Sequence, residues 1–401
     1  MARFGRSRQA GATPADAQEA ERWRVPLSDV HVDDELVAAV TETVRSGWWS
    51  MGPRVAQLEQ AFSDYCGARF ALAVANGTAA LHLALLASEC GPGDEVVLPS
   101  LNFVAAANTV ARTGAMPVFC DIRGGEDLNL DPDDLEAAIG PATKAAVVLH
   151  YGGFSCAAES VVEIAAKHGL VVIEDAAHAP GSRVLGRHCG TVGDIGCFSF
   201  FSNKNLPIGE GGMVVTDDEG LAERVRLLRS HGMTTLTWDR HRGHASSYDV
   251  RVQGLNYRLD EIRAAIAIVQ LGRLEAENAR RRVTAARYLA ALHGVAGLEM
   301  AFSDRIGEGR SAHHLAVVLL PAEVSRTRVR EAMAARGIQT SVHYPPIHGF
   351  SAYRDLASKR PLPRTDAASE RLLTLPLFGH MTDGQAGEVA EALLDAVAGA
   401  V

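Results

Sequence analysis

Short apolar runs alternate with stretches of helical periodicity along the first two thirds of the chain. The runs are rich in Val, Ile, Leu and Ala and lack the strict alternation of a half-exposed strand, so they indicate strands covered on both faces. The apolar runs are residues 70–75, 95–98, 117–120, 145–149, 170–173, 196–201 and 212–215. Because helical stretches such as 79–88 and 159–168 separate them, the pattern predicts an α/β fold with a mainly parallel sheet, which we place in a large domain at 27–270.

The pattern changes near residue 260. Residues 260–291 form one long amphipathic stretch rich in Ala, Arg, Leu and Glu, which predicts a single helix of the kind that often joins two lobes. An apolar run at 316–320 and helical stretches at 326–336 and 384–400 follow it. They predict a second, smaller α+β domain at 271–401.

Composition and charge exclude some classes of protein for this chain. The 401 residues are 47% hydrophobic and 22% charged, which is enough to build a core and excludes a wholly disordered chain. With 39 basic and 48 acidic residues the net charge is −9. We therefore expect no nucleic-acid partner, because phosphate attraction favours a basic face. No uninterrupted apolar run approaches the roughly 18 residues of a membrane helix, so we expect no membrane partner either.

The cysteines and the N-terminus bear on the compartment. The six cysteines are scattered and form no C-x-x-C pair, which argues against a zinc ribbon, so we expect no metal and free thiols in a cytoplasmic protein. Residues 1–26 begin basic and continue polar, without the apolar segment of a secretory signal. We expect these residues to form a flexible tail.

Two segments that follow predicted strands are candidates for binding an anion and a planar ring. Asn76-Gly77-Thr78 lies between a strand and a helix, where small residues let backbone N–H groups face an anion such as phosphate. The alternative is simple capping of the helix by Asn76 or Thr78. Phe103 follows the run at 95–98 and can stack on a planar ring in the crevice of such a sheet, with an ordinary core Phe as the alternative.

Two further segments carry titratable groups. Glu174 and Asp175 follow an apolar strand, where a carboxylate needs a partner such as a protonated heterocyclic nitrogen, and His178 can reach a neighbouring ring substituent. The alternative is a helix cap and a surface histidine. Lys204 is a single lysine between an aromatic strand and a glycine turn. Such surroundings desolvate an amine and lower its pKa, as Schiff-base chemistry requires, although an exposed loop lysine is the alternative.

Taken together, the four segments supply an anion cradle, a stacking aromatic ring, a carboxylate for a ring nitrogen, and a lysine. This set is the inventory for holding pyridoxal 5′-phosphate. A nicotinamide dehydrogenase is a weaker interpretation, because it would need G-x-G-x-x-G after the first strand, where this chain has Asn-Gly-Thr-Ala-Ala-Leu.

From about residue 27 to its C-terminus, the chain resembles the DegT/DnrJ/EryC1/StrS family of nucleotide-sugar aminotransferases. The motifs that carry the resemblance are GWWSMGPRVAQLE, ANGTAAL, PSLNFVAAAN, IEDAAHAPG, SFFSNKNLPIGEGG, GLNYRLDEIRAAI and VHYPPIH. The resemblance implies the fold-type I architecture of pyridoxal-phosphate-dependent aminotransferases, with a mainly parallel sheet of the seven-stranded type in the large domain and a smaller C-terminal α+β domain.

The resemblance also implies roles for single residues. Lys204 is similar to the lysine that forms the Schiff base, and Asp175 to the carboxylate paired with the pyridinium nitrogen. His178 stands where the family has Gln or His near O3′ of the cofactor. The implied contacts to the phosphate and the ring face are Gly77, Thr78, Ser199 and Phe103.

Other matched positions concern the partner subunit and the substrate. Asn256 in G-L-N-Y-R resembles an asparagine that reaches the phosphate from the neighbouring subunit, which implies a homodimer with shared active sites. The implied sugar-pocket residues are His343, Tyr344 and His348. Trp49, with Trp48 and Met51, is a further candidate for the border of that pocket, with core packing as the alternative.

The implied reaction moves an amino group from an amino acid, for which we expect L-glutamate, to a nucleotide-linked keto sugar. We expect an NDP-4-keto-6-deoxyhexose in amino-sugar biosynthesis. A 3-keto sugar, a cyclitol ketone and a non-catalytic regulator that binds the cofactor stay open as alternatives. A related branch of sugar 3-dehydratases has His in place of the lysine, and Lys204 argues against it. Residues 234–250, rich in His and Arg, are expected to form a solvated loop, with contact to the nucleotide diphosphate as the alternative.

Overall fold

The computed structural model describes residues 23–235, 247–307, 309–354 and 360–400. Most of the expected tail at 1–26 and most of the expected loop at 234–250 lie outside the described residues. Val25, however, is fully buried. Its N–H donates to the carbonyl of Gly337 at 3.1 Å and its carbonyl accepts from Gln339 at 3.0 Å. The expected tail is therefore wrong at its last residues, because the chain is already packed into the structure at Val25.

Helices and strands alternate through the first part of the described chain. The helices are α1 (Asp34–Arg45), α2 (Pro53–Cys66), α3 (Gly77–Ala87), α4 (Ala105–Thr113), α5 (Pro132–Ala138), α6 (Ala158–His168), α7 (Glu219–Leu228), α8 (Glu261–Leu292), α9 (Arg326–Ala335), α10 (Pro363–Arg371) and α11 (Asp383–Ala398). The strands are β1 (Phe70–Val74), β2 (Glu95–Pro99), β3 (Met116–Cys120), β4 (Thr143–Leu149), β5 (Val171–Asp175), β6 (Arg183–Val184), β7 (Arg187–His188), β8 (Ile195–Ser199), β9 (Gly212–Thr216), β10 (Glu299–Met300), β11 (Ala316–Leu319) and β12 (Leu372–Leu375). No helix in these described ranges has the length and apolarity to cross a membrane.

A seven-stranded sheet with the order β1-β9-β8-β5-β4-β2-β3 forms the centre of the described structure. Strand β9 runs antiparallel to both of its neighbours, and the other pairs are parallel. The prediction of a mainly parallel sheet is confirmed. Because all strands except β9 point the same way, their carboxyl ends meet at one edge of the sheet, where ligands bind in folds of this kind.

A smaller antiparallel sheet, β10-β11-β12, lies in the C-terminal part. Helix α8 links the two sheets, as the amphipathic pattern predicted. Its Ala264 and Leu274 pack in a core cluster with Phe62 of α2, whereas Tyr288 and Leu292 pack in the cluster around the small sheet. The proposed boundary between 270 and 271 falls inside this one helix, so the division into domains at 27–270 and 271–401 stays a proposal.

The first residue of α8 also caps another helix. Helix α2 follows Gly52 and has no side-chain cap of its own. The carboxylate of Glu261, in a residue that is 3% exposed, accepts from the N–H groups of Gly52 and Val55 at 2.9 Å and from that of Arg54 at 2.8 Å. Since these N–H groups have no partner within α2, one side chain joins the starts of the two helices.

We expect Glu261→Ala to lower the free energy of unfolding by about 2–4 kcal/mol, because it leaves buried N–H donors without an acceptor. Glu261→Gln is the matched variant, since its amide oxygen keeps one acceptor, and its free energy of unfolding should lie between the other two. Urea unfolding at one fixed protein concentration measures the difference. Equal stability of the alanine variant and the parent chain would remove this capping role.

Candidate active site

A cavity of about 370 Å³ opens at the carboxyl edge of the seven-stranded sheet. Its wall is built from the segments that follow β1, β2, β5 and β8, together with a loop from the C-terminal part. The predicted site residues that line it are Gly77, Thr78, Phe103, Asp175, His178, Ser199, Lys204, His343 and Tyr344. Segments separated by more than a hundred residues therefore meet in one place.

The two neighbouring carboxylates of β5 serve different purposes. Glu174 is 1% exposed, and its carboxylate lies 2.7 Å from Nε2 of His150 and accepts the N–H groups of residues 190, 192 and 193 at 2.6–2.8 Å. Burial alone would raise the pKa of Glu174, but these partners hold it below its usual value. Successive side chains of a strand point to opposite faces. Asp175 therefore faces the cavity while Glu174 is held within the protein.

Asp175 has few partners of its own. The residue is 5% exposed, and its carboxylate accepts the N–H of Ala177 at 3.2 Å. Burial raises the pKa of this carboxyl, and the N–H of Ala177, the charge of Lys204 and the side chain of Asn102 oppose that rise. A buried carboxylate with so little compensation is suited to a cationic partner in the cavity.

Lys204 lies in the turn after β8, where its backbone N–H donates to the carbonyl of Phe201 at 2.8 Å. Its side chain lines the cavity, so the alternative of an exposed loop lysine is wrong. Burial lowers the pKa of the amine to about 8, and the charge of Asp175 opposes this shift. The amine is therefore much easier to deprotonate than an ordinary lysine.

The N-terminus of α3 forms one wall of the cavity. Asn76 caps this helix by accepting the N–H of Ala79 at 2.8 Å, so the capping alternative is correct. Capping leaves the N–H groups of Gly77 and Thr78 without a partner among the described residues. A Cβ at Gly77 would lie 2.7 Å from Cβ of Ser199, so glycine is required for this close approach. The helix N-terminus can therefore also receive an anion.

Two rings near the cavity differ in their surroundings. Phe103 is 54% exposed, which overturns the alternative of a core Phe, and its ring centroid lies 5.8 Å from that of Tyr344. His178 is buried, with Nε2 lying 2.8 Å from the hydroxyl of Tyr344 and Nδ1 accepting the N–H of Gly152 at 3.3 Å. Burial and the charge of Lys204 lower the pKa of His178 well below its usual value, so the ring is neutral. Its predicted contact with O3′ of the cofactor stays a prediction.

Three predicted site residues do not line the cavity of this chain. His348 binds Ser100 through Nδ1 at 2.7 Å and Asp366 through Nε2 at 3.1 Å. Trp49 is 55% exposed, and its indole N–H donates to the carbonyl of Val44 at 3.1 Å. Asn256 is exposed on the surface. Met51, a weaker candidate, is buried in a core cluster with α2.

The structure also shows polar groups at the site that motif reasoning missed. Asn102 is 1% exposed and lines the cavity. Its Oδ1 accepts the N–H of Phe103 at 2.6 Å, and its side chain helps to lower the pKa of Asp175. Its Nδ2 has no partner within hydrogen-bond geometry among the described residues. The signal for Asn102 was present, because it is a polar residue three positions after the end of a buried strand. His314, whose Nε2 lies 3.5 Å from Nζ of Lys204, gave no such signal, because it precedes a strand 110 positions further along the chain.

Comparison with known proteins identifies the family. The model of the DegT/DnrJ/EryC1/StrS aminotransferase family matches residues 30–394. The spore coat polysaccharide biosynthesis protein SpsC of Bacillus subtilis (strain 168) is 41% identical over 383 residues, which are 94% of this chain and 98% of SpsC. The chain belongs to this family.

Solved structures agree with that assignment. DesI, solved in the presence of its TDP-sugar product, is 33% identical with a TM-score of 0.82, and the match covers 92% of both chains. Spr1654 from Streptococcus pneumoniae, solved in its PLP form, is 27% identical with a TM-score of 0.86, over 94% of this chain and 99% of that one. The protein is an aminotransferase that depends on pyridoxal 5′-phosphate, with the fold of these enzymes.

The residues of the cavity fit that cofactor. The free N–H groups at the start of α3 suit its phosphate, and the buried carboxylate of Asp175 suits its ring nitrogen. The unpartnered Nδ2 of Asn102 is a buried donor in the same cavity. Such a donor costs free energy until it is satisfied. The cofactor offers a phosphate and a ring with polar atoms, which match these unpartnered N–H groups and this buried carboxylate.

We expect Asp175→Asn to retain the cofactor but to slow the half-reaction with the amino donor by about ten- to a thousandfold, or roughly 1.4–4 kcal/mol. The amide cannot hold the ring nitrogen in its protonated form. Stopped-flow single turnovers give the rate, and absorbance gives the bound cofactor. Glu174→Gln is the matched comparison and should mainly lower the free energy of unfolding. An unchanged single-turnover rate with full cofactor occupancy would remove Asp175 from the mechanism.

Proposed function

Because the chain belongs to this family, we propose that it is a sugar aminotransferase that moves an amino group from L-glutamate to C4 of a nucleotide-linked 4-keto-6-deoxyhexose. The observation that carries the proposal is that Lys204, Asp175 and the N-terminus of α3 share one cavity. The TDP-sugar product of DesI and the role of SpsC in spore coat polysaccharide biosynthesis support a nucleotide-linked sugar as the acceptor. We place the reaction in the cytoplasm, where the six buried cysteines would stay free thiols.

Lys204 has the properties required to move the proton. When bound, pyridoxal 5′-phosphate supplies an electron-accepting ring that stabilises negative charge on a carbon that has lost its proton. With a pKa of about 8, about a tenth of Lys204 is neutral at pH 7, compared with roughly 0.03% of an ordinary lysine. The neutral amine acts as a general base that takes the proton from Cα of the amino acid. The protonated amine then acts as a general acid that delivers this proton to C4′ of the cofactor.

The other residues hold the reacting groups in place. The carboxylate of Asp175 keeps a proton on the ring nitrogen, because a buried negative charge favours the cationic partner. The N–H groups of Gly77 and Thr78 bind the phosphate at the helix N-terminus. Phe103 lines the cavity and is 54% exposed, so its ring would cover one face of the bound cofactor and limit the access of water.

We propose a homodimer in which Asn256 completes the partner's phosphate site. Asn256 is exposed and lies outside the cavity of its own chain. The segment before it carries exposed apolar side chains, with Tyr248 52%, Val250 51% and Val252 38% exposed. Exposed apolar side chains that cluster in one segment are typical of an interaction surface. A second copy on this surface would both cover them and bring Asn256 to an active site.

A panel of three ketones tests the substrate. The protein with pyridoxal 5′-phosphate and L-glutamate should form 2-oxoglutarate with an NDP-4-keto-6-deoxyhexose and place nitrogen at C4, as read by mass spectrometry and NMR. Lys204→Ala should abolish turnover, and Lys167→Ala is its matched control, because Lys167 lies 67% exposed on the surface. Amination of the 3-keto isomer or of a cyclitol ketone instead would overturn the proposed acceptor. No transfer to any ketone would favour a non-catalytic regulator.

Mixed dimers test the shared site. We expect Lys204→Ala and Asn256→Asp to be impaired as separate homodimers, the second because a carboxylate repels the phosphate. A random mixture of the two chains should recover roughly a quarter of the parental activity, since half of the dimers are mixed and each has one intact site. Activity assays after unfolding and refolding the mixture measure this recovery. If Asn256 acted within its own chain, mixing would restore nothing.

A further inference from the structure

A row of buried side chains lies behind Lys204. His314 faces the amine, with Nε2 at 3.5 Å from Nζ, at the long end of a hydrogen bond. Behind His314 come Asn205, the residue after Lys204, and Asn278 of α8. His314, Asn205 and Asn278 are each at most 4% exposed, so bulk water does not reach their polar atoms. Each of these atoms must be matched within the protein.

Two backbone carbonyls determine the direction of every hydrogen bond in this row. Asn278 donates from Nδ2 to the carbonyl of Pro180 at 2.9 Å. Asn205 donates from Nδ2 to the carbonyl of Ala312 at 2.7 Å and to Oδ1 of Asn278 at 2.7 Å. A carbonyl oxygen can only accept. Both amides are therefore oriented with their nitrogen toward these oxygens, which leaves Oδ1 of Asn205 to face His314.

The orientation of Asn205 assigns the tautomer of His314. Oδ1 of Asn205 lies 3.0 Å from Nδ1 of His314, and an amide oxygen accepts only, so Nδ1 must carry the hydrogen. Burial lowers the pKa of His314 well below its usual value, and the charge of Lys204 lowers it further. The ring is thus neutral and has one N–H. Its Nε2 therefore presents a lone pair to Lys204.

Other groups around the amine have different partners. Asp175 approaches from β5 and affects Lys204 through its charge. Nδ1 of His343 lies 3.0 Å from the hydroxyl of Thr374, and Nε2 of His178 lies 2.8 Å from that of Tyr344. Within the described ranges, His314 is the residue whose side chain reaches the amine at hydrogen-bond distance.

We propose that His314 is a positioning residue for Lys204, held by Asn205 and Asn278 in the tautomer that accepts an N–H from the lysine amine. This inference rests on the proposed role of Lys204 as the group that moves the proton. When the amine is neutral, the bond to His314 leaves its own lone pair directed to the cavity. When Lys204 has taken the proton, the same bond becomes charge-assisted and stronger. His314 thereby stabilises the protonated lysine between the two proton transfers and itself stays neutral.

The test compares two neighbouring histidines. His314→Leu removes the acceptor, and His314→Gln keeps an amide oxygen that can accept from Lys204. Asn205→Ala keeps the ring of His314 but removes the amide oxygen that fixes its tautomer. This variant replaces His314→Leu in the test if the leucine variant does not fold. The matched control is His313→Asn, because His313 is also fully buried but both of its ring nitrogens lack partners among the described residues. Asparagine also tolerates the φ of 44° at this position.

Two measurements read the effect. The chain has four lysines, Lys144, Lys167, Lys204 and Lys359, so amine labelling followed by mass spectrometry resolves each one. In the full chain without cofactor, the pH dependence of labelling gives the pKa of Lys204. In the holoenzyme, single turnovers of the half-reaction over a range of L-glutamate concentrations separate the maximal rate constant from the half-saturating concentration.

We expect His314→Leu to lower the pKa of Lys204 by about one unit, since the protonated amine loses its acceptor. The maximal single-turnover rate constant should fall about tenfold or more, and the half-saturating L-glutamate concentration should change little. Asn205→Ala should shift the pKa in the same direction, His314→Gln should shift it less, and His313→Asn should match the parent chain. An unchanged pKa in both His314→Leu and Asn205→Ala would overturn the inference, as would equal losses in His314→Leu and His313→Asn.

Borohydride reduction of the parent holoenzyme tests the proposed role of Lys204 separately from that of His314. Cofactor trapped on Lys204, together with unchanged pKa values in the variants, overturns only the role of His314. Cofactor trapped on Lys144, Lys167 or Lys359 overturns the proposed role of Lys204 itself. Cofactor on Lys204 with the expected pKa shifts supports both.

Discussion

The site depends on an amine and a carboxylate that line the same cavity, where burial shifts the pKa of both. Burial lowers the pKa of Lys204 and raises that of Asp175, and the charge of each group opposes the shift of the other. The pKa values of both groups therefore lie closer to neutral pH than they would in water. The parallel register of β5 and β8, in which Asp175 is opposite Cys197, places the ends of the two strands side by side. A mainly parallel sheet thus produces this juxtaposition by its geometry.

Helix α8 supports the site as well as the fold. Its first residue, Glu261, caps α2, and its Asn278 anchors the amide row that ends at Lys204. The same helix packs Leu274 into the core of the large sheet and Tyr288 into the core of the small one. Because Asn278 lies between these two packed stretches, its amide is fixed by both cores. The proton chemistry at the cavity therefore depends on a helix that a list of cavity residues would omit.

The local sequence pattern predicted the strands and the residues that stand near their ends. Strands such as β2 and β4 could be located from apolar runs, and Asp175 and Lys204 could be found because each stands next to the end of such a run. The alternation along β5 could in principle have separated Glu174 from Asp175, but the partners of Glu174 come from residues 190–193 and are visible only in the folded chain. The role of His314 depends on contacts with positions 204, 205 and 278. No periodicity or spacing encodes contacts over such distances. The family resemblance, rather than a pattern, placed His348 and Trp49 near the sugar pocket, and these two residues do not line the cavity.

The two parts of the chain contribute different chemistry to the cavity. The segments after β1, β2 and β5 supply the groups that match the phosphate and the ring, from Gly77 to Asp175. The C-terminal part supplies His343 and Tyr344 to the cavity wall and His314 to the Lys204 amine. A substitution in the first set changes how the cofactor is held or how its ring nitrogen is charged, whereas one in the second set changes the surroundings of the Lys204 amine or the space for the substrate. Since these effects arise from separate segments, substrate preference can change within such a fold while the cofactor site stays intact.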